Sequence, residues 1–348
     1  MYSTAFNTKI QAMRKHSLTR ADYENLSRLK SVDEIGRKIR EFEGYRGIFG
    51  ETSEEEETHR MPLERNLVLS LLLDYKKLIS FATDYTIKAH IDAFFMSNEI
   101  KIIKLIMGIV RDQTTHGYTA DDFKPQITGK SPVDVDKLFA SRRLDEFVEN
   151  LRGTVYYAPL SRAYSAEATM FELEAQLDIF YYMHLWKQRQ KLGRNERRAV
   201  ERVIGTQIDL RNIMWVYRFK RYYNVAPELM YSSIIPVTYR VKSAQMNNLV
   251  EHRNMPNQDV LSQGLCAPYN DIFKEYTTLE YDYYQKMLNV FRTAEKDGKS
   301  SVVRALSYLF SKELEITNLT TLIECIRYSL TPEETMKRLY LLEEGDAV

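Results

Sequence analysis

An all-α fold is what this sequence predicts, on three observations. Gly and Pro are scarce, thirteen and nine in 348 residues, about half of what average usage supplies, which disfavours turn-rich β structure. Apolar residues recur at the 3.6-residue period of an amphipathic helix in several long stretches. A set of short motifs also returns three times at fixed spacing. Glu99, Asp209 and Glu315 each open an acid–aliphatic–x–(Asn or Ile)–aliphatic segment, and they stand 110 and 106 residues apart. Leu63-Glu64, Leu173-Glu174 and Leu279-Glu280 share those two offsets, so the two acids of each copy are 35 residues apart in all three. Three pseudo-equivalent helical repeats follow, at 1–112, 113–226 and 227–348.

In chain order, each copy first carries aliphatic or aromatic residues one turn apart that lead to a tyrosine: Ile35/Ile39/Tyr45, Phe147/Leu151/Tyr156 and Leu261/Leu265/Tyr269. The acidic run from Glu51 to Glu57 reads as a solvated linker ahead of Pro62, where a helix can start. Between the paired acids lie two long helices. The first keeps an apolar face through Leu67, Leu71, Tyr75 and Leu78, through Leu177, Phe180, Tyr181, His184 and Leu185, and through Tyr281, Tyr284, Leu288 and Phe291. The break between the helices is expected at Thr83-Asp84, Gly193-Arg194-Asn195 and Asp297-Gly298-Lys299-Ser300, where Gly stops one helix and a short polar residue caps the next. The second helix carries the acid near its far end. Three positions on, Asn212 and Asn318 share the acid's face, and Ile102 replaces the amide in the first copy. Acid and amide either recognise a neighbouring copy or partner, or satisfy backbone groups where helices cross. Ile102 favours the second reading.

Composition excludes several functions. Lys+Arg 49 against Asp+Glu 48 leaves +1, too little positive charge for a general grip on nucleic-acid phosphates. The only cysteines, Cys266 and Cys325, have no metal or redox spacing, and the compartment reads as reducing and cytoplasmic. Met1 to Arg20 lacks the uninterrupted apolar core of a signal peptide. Leu67–Leu73 and Ile100–Val110 fall short of the ~20 apolar residues that span a bilayer, so membrane association is expected to be peripheral.

Signals for chemistry are weak. Gly129-Lys130-Ser131 and Gly298-Lys299-Ser300 lack the Gly five positions earlier that a phosphate-cradling loop needs, since Lys124 and Thr293 stand there, and both read as turns. The six histidines, including His90 and His184 within apolar helices, show no metal-ligand spacing. No cofactor, metal or catalytic residue is expected. A helical enzyme would need a deep pocket with perturbed carboxylates, and Glu64, Glu174 and Glu280 are the residues to inspect. The basic stretch from Lys187 to Arg198 is either a solvated turn or a face for an acidic partner, with Arg194, Arg197 and Arg198 as its candidate contacts.

The segments Ile208–Arg218 (IDLRNIMWVYR) and Leu314–Glu334 (LEITNLTTLIECIRYSLTPEE), with the opening Leu18-Thr19-Arg20-Ala21-Asp22-Tyr23, resemble the C subunit of prokaryotic V-type (A-type) ATPases, a relative of the eukaryotic vacuolar d subunit. The resemblance covers essentially the whole chain and departs at Ile102 and at the acidic run. It implies a non-enzymatic rotor component shaped as a three-lobed funnel. Such a protein sits on the cytoplasmic face of the proteolipid ring, one copy per complex, receives the D and F subunits of the central shaft, and transmits torque for proton or sodium transport. A helical-repeat adaptor unrelated to an ATPase is the alternative that the repeat alone permits.

Overall fold

The computed structural model describes residues 2–48, 60–115, 117–127, 131–166, 168–223, 226–251, 269, 279–297 and 300–341. Among them every regular element is helical and no strand occurs. The helices start where the sequence places short polar caps. Thr19, Thr169 and Thr331 each close a reciprocal box with the acid three residues on, satisfying N–H groups that the first helical turn leaves without partners. These caps open α2 (Arg20–Leu26), α10 (Met170–Gln188) and α16 (Pro332–Met336). The acidic run from Glu51 to Glu57, together with Leu261, Leu265, Cys266, His59, His116 and His252, lies outside the described residues.

The chain divides into two compact units, Met1–Ile91 with Ser300–Val348, and Asp92–Lys299. In the first, α15 (Ser301–Arg327) is buried on nearly every side. It packs against α1 (Tyr2–Arg14), α3 (Val32–Glu41) and α4 (Arg60–Phe81). All-round burial explains why its sequence shows little amphipathic contrast: Val302, Val303, Ala305, Leu306 and Tyr308 lie on different faces and are all covered. In the second unit α11 (Arg194–Arg218) holds the equivalent central place, packed against α10 and α14 (Leu279–Asp297).

Two of the three expected hairpin turns have both flanking helices described up to the break. α4 and α5 (Tyr85–Asp112) are separated by residues 82–84, where Asp84 Oδ1 accepts from the Thr86 N–H at 2.6 Å. Between α10 and α11 the mechanism differs from the expectation. Gly193 has φ −60° and ψ 158°, so it does not stop a helix in a left-handed conformation; it serves as N-cap of α11. A 3₁₀ turn over Arg189–Lys191 ends α10, and the Arg197 guanidinium donates to the carbonyls of Gln190 (3.1 Å) and Leu192 (2.9 Å). At the third break Gly298 and Lys299 are outside the described residues, and Ser300 caps α15 by accepting from the Val303 N–H at 3.2 Å.

The apolar stripes hold in kind but shift in register. Leu67, Leu71, Tyr75 and Leu78 are buried as expected. On α10 Leu177, Tyr181 and Leu185 are buried while Phe180 and His184 are half-buried. On α14 Phe291 is buried as expected, but Tyr281, Tyr284 and Leu288 are half-buried and the covered face instead runs through Leu279, Tyr283, Met287 and Ala294, since period alone does not fix which neighbour points inward. Gly205 on α11 marks a close approach: a Cβ there would run into Cγ of Tyr239, whose ring lies directly on the helix.

Candidate functional site

The repeated acids lie near the middle of α5, α11 and α15 rather than near their far ends, and all three are buried. Each accepts a hydrogen bond from one of the marker tyrosines. The Tyr156 hydroxyl donates to Glu99 Oε2 at 2.7 Å, Tyr269 to Asp209 Oδ2 at 3.0 Å, and Tyr45 to Glu315 Oε1 at 2.5 Å. Those tyrosines are no more than 1% exposed. A buried carboxylate is tolerated only when its lone pairs are filled, and at Asp209 and Glu315 main-chain donors add to the tyrosine. Asp209 Oδ2 also accepts from the N–H groups of Arg240 (2.8 Å) and Val241 (3.1 Å). Glu315 Oε2 takes the Leu18 N–H at 2.8 Å, and its Oε1 the Lys312 ammonium at 2.6 Å. Lys312 lies 3.8 Å above the Tyr45 ring, so charge, carboxylate and ring form one buried cluster. The physical consequences agree. Burial, then the adjacent carboxylate charge, raises the hydroxyl pKa of Tyr45, Tyr156 and Tyr269, and burial raises that of Asp209 against its hydrogen bonds.

The amides act beside the acids as backbone clamps. Asn212 donates to the Ile235 carbonyl at 2.9 Å and accepts from the Ile235 N–H at 2.8 Å. Asn318 does the same to Tyr340, at 3.2 and 2.8 Å. Where Ile102 stands in place of the amide, Asn98, one helical turn earlier, donates to the Gln126 carbonyl at 2.9 Å. Sequence reasoning missed Asn98, although an Asn one turn from the vacated position was a signal available in the chain. Both readings of acid and amide find contacts here: the amides and two of the acids satisfy backbone groups, and each acid takes a tyrosine from the next of the stretches 1–112, 113–226 and 227–348.

The second set of acids shares no common environment. Glu64 and Glu174 are half-buried, with burial raising the pKa of Glu174, while Glu280 is exposed and paired with Arg218. The constant part of the Leu-Glu motif is the leucine: Leu63, Leu173 and Leu279 are all buried. In the basic stretch Arg194 and Arg198 are exposed, whereas Arg197 is spent on closing the turn and Arg189 pairs with Glu201 at 3.0 Å over the Trp186 ring. His90 is buried with Nδ1 2.7 Å from the Thr86 carbonyl, and His184 contacts Gln188 at 3.0 Å. No group of three metal-capable side chains occurs among the described residues. Of the two Gly-Lys-Ser sequences, Gly129 and Lys130 lie outside the described residues, and Ser131 Oγ accepts from the Val133 N–H at 3.3 Å.

Buried acids, amides and tyrosines thus fasten the long helices of an all-helical protein to distant parts of its own chain. Residues 6–338 match the ATP synthase (C/AC39) subunit family, and the chain belongs to it. It is similar to the A-type ATP synthase C subunit of Methanosphaera stadtmanae, at 23% identity over 96% of this chain and 86% of the relative. The protein of the same description from Archaeoglobus fulgidus is 25% identical, covering 96% and 95%, and that from Methanosarcina mazei 23%, covering 96% and 92%. The chain is thus a non-catalytic part of a membrane-associated rotary ATPase. No described helix is long and apolar enough to cross a membrane. Family membership also removes the reading as an adaptor unrelated to an ATPase.

Proposed function

We propose that this chain is the rotor socket that joins the D and F subunits of the central shaft to the proteolipid ring and passes torque between them during ATP-coupled proton or sodium transport. One copy serves each complex, on the cytoplasmic face of the membrane. In this reading residues 1–112, 113–226 and 227–348 are three pseudo-equivalent lobes of a funnel. The observation that carries it is the order of the three buried bonds. The acid of the first repeat takes the tyrosine of the second, the acid of the second that of the third, and Glu315 of the third takes Tyr45 of the first. A cyclic order of this kind suits a body built around an axis, whereas a linear solenoid pairs only sequential neighbours. Torque transmission demands stiffness, and hydrogen bonds from buried hydroxyls to ionised carboxylates are among the stronger ones a helical protein can use.

Arg194 and Arg198 remain the candidate partner face on the α10–α11 turn; Arg197 is committed to the turn itself. The test is to tag the chain in its host, wash the membranes, solubilise the complex, and identify by mass spectrometry what co-purifies and cross-links. Recovery of the proteolipid and both shaft components, with cross-links from this chain to each, supports the socket. Recovery with the catalytic head but with no cross-link to shaft or ring overturns it. Reversing Arg194 and Arg198 to Glu and finding unchanged assembly removes that face.

A further inference from the structure

One cleft in the second unit is built from donors. On α14, Lys286, Asn289, Thr293 and Asp297 recur at three- and four-residue intervals and share a face. Arg202 and Thr206 stand one turn apart on α11. With Arg240 and Tyr269 these faces line an open cleft of about 400 Å³, within the range that holds small molecules. Three cations meet one carboxylate there, and that carboxylate, Asp297, is already paired with Arg202. Of the remaining polar side chains, the Asn289 amide can donate to an anion's oxygens, whereas the Tyr269 hydroxyl is committed to Asp209 at 3.0 Å and the Thr293 hydroxyl to the Asn289 carbonyl at 2.9 Å. Two walls are also fixed from behind by the buried acid of the motif: Asp209 holds the Arg240 N–H at 2.8 Å and the Tyr269 hydroxyl at 3.0 Å.

We propose that this cleft binds a small phosphorylated molecule, its phosphate oxygens held by the Arg240 guanidinium and the Lys286 ammonium with Arg202 in support. Charge-assisted donors of this kind match phosphate geometry, and a guanidinium can engage two oxygens at once. Asp209 acts as a positioning residue for the site. The proposal does not depend on the socket reading and is tested on the isolated full-length chain.

Titration calorimetry at low salt with inorganic phosphate, pyrophosphate and ATP is the experiment. Saturable binding of pyrophosphate or ATP at one site is expected, weakened about tenfold or more by Arg240→Ala and by Lys286→Ala, the loss of one charge-assisted hydrogen bond each. Arg194→Ala with Arg198→Ala, which removes two exposed cations from the turn, leaves the affinity unchanged. Tighter binding of ATP than of pyrophosphate assigns the ligand as a nucleotide; equal affinity assigns recognition to the phosphates alone. Absence of saturable binding by all three probes overturns the proposal, as does equal weakening by the Arg194/Arg198 pair. Lys286→Ala lies on the partly exposed face of α14 and keeps the test decisive if Arg240→Ala disturbs folding, which circular dichroism reports.

Discussion

Tyr45→Phe isolates what one hydroxyl contributes to the cluster around Glu315. Phe fills the same space, so no cavity term enters, and the loss is confined to one hydrogen bond to an ionised acceptor, about 1.5–3 kcal/mol. Glu315 keeps the Lys312 ammonium at 2.6 Å and the Leu18 N–H at 2.8 Å, which places the expected cost in the lower part of that range, about 1.5–2 kcal/mol. Because the chain forms two compact units, a single global midpoint is a poor readout. Hydrogen exchange resolved by peptide is better suited: protection should fall in α1, α3, α4 and α15 and stay unchanged in α10, α11 and α14. The pH dependence supplies a second check. Burial first, then the Glu315 charge, holds the Tyr45 hydroxyl well above its ordinary 10.0. A group that keeps its proton more tightly when folded contributes stability below its unfolded pKa and loses that contribution as pH rises past it. Alkaline loss of protection in α15 above about pH 10 should therefore be smaller in Tyr45→Phe than in the native chain. A cost below about 0.5 kcal/mol, or protection lost equally from both units, would refute the reasoning.

Three further predictions concern the second unit. Gly205→Ala should destabilise by about 1–3 kcal/mol, since its Cβ meets the root of the Tyr239 ring and the ring cannot swing clear without moving the backbone that Asp209 holds; urea titration of the unit measures this. Asn212→Ala should cost about 1–3 kcal/mol, because the Ile235 N–H loses its partner and the Ile235 carbonyl is left with the Val237 N–H alone, whereas Ile102→Ala should cost only what an apolar truncation costs; peptide-resolved hydrogen exchange of α11 and α5 compares the two. Arg197→Ala should speed hydrogen exchange in the peptides around the α10–α11 turn by uncapping the Gln190 and Leu192 carbonyls, while Arg194→Ala and Arg198→Ala leave it unchanged.

Much of this architecture was legible in the chain because it depends on local rules. Helical hairpins follow from apolar period and polar breaks, and the breaks at residues 82–84 and at Gly193 fall where those rules place them. Period alone does not fix register within one residue, and so on α14 Tyr283 and Met287 enter the core where Tyr284 and Leu288 were expected. The acids and tyrosines were both visible as recurring markers. Their partnership was not, since Glu99 and Tyr156 are 57 residues apart and Glu315 and Tyr45 are 270 apart, and nothing in spacing says which marker meets which.

By itself, the sequence determined that the chain is helical, near neutral in charge and marked by short motifs at recurring spacing, because composition, periodicity and spacing are local or additive properties. Only the tertiary structure decided what the repeated polar residues do. A carboxylate within an apolar helix costs free energy until distant donors fill its lone pairs, and those donors, the Tyr45 hydroxyl with the Leu18 N–H and the Tyr269 hydroxyl with the Arg240 N–H, reach their acids only once the helices have packed.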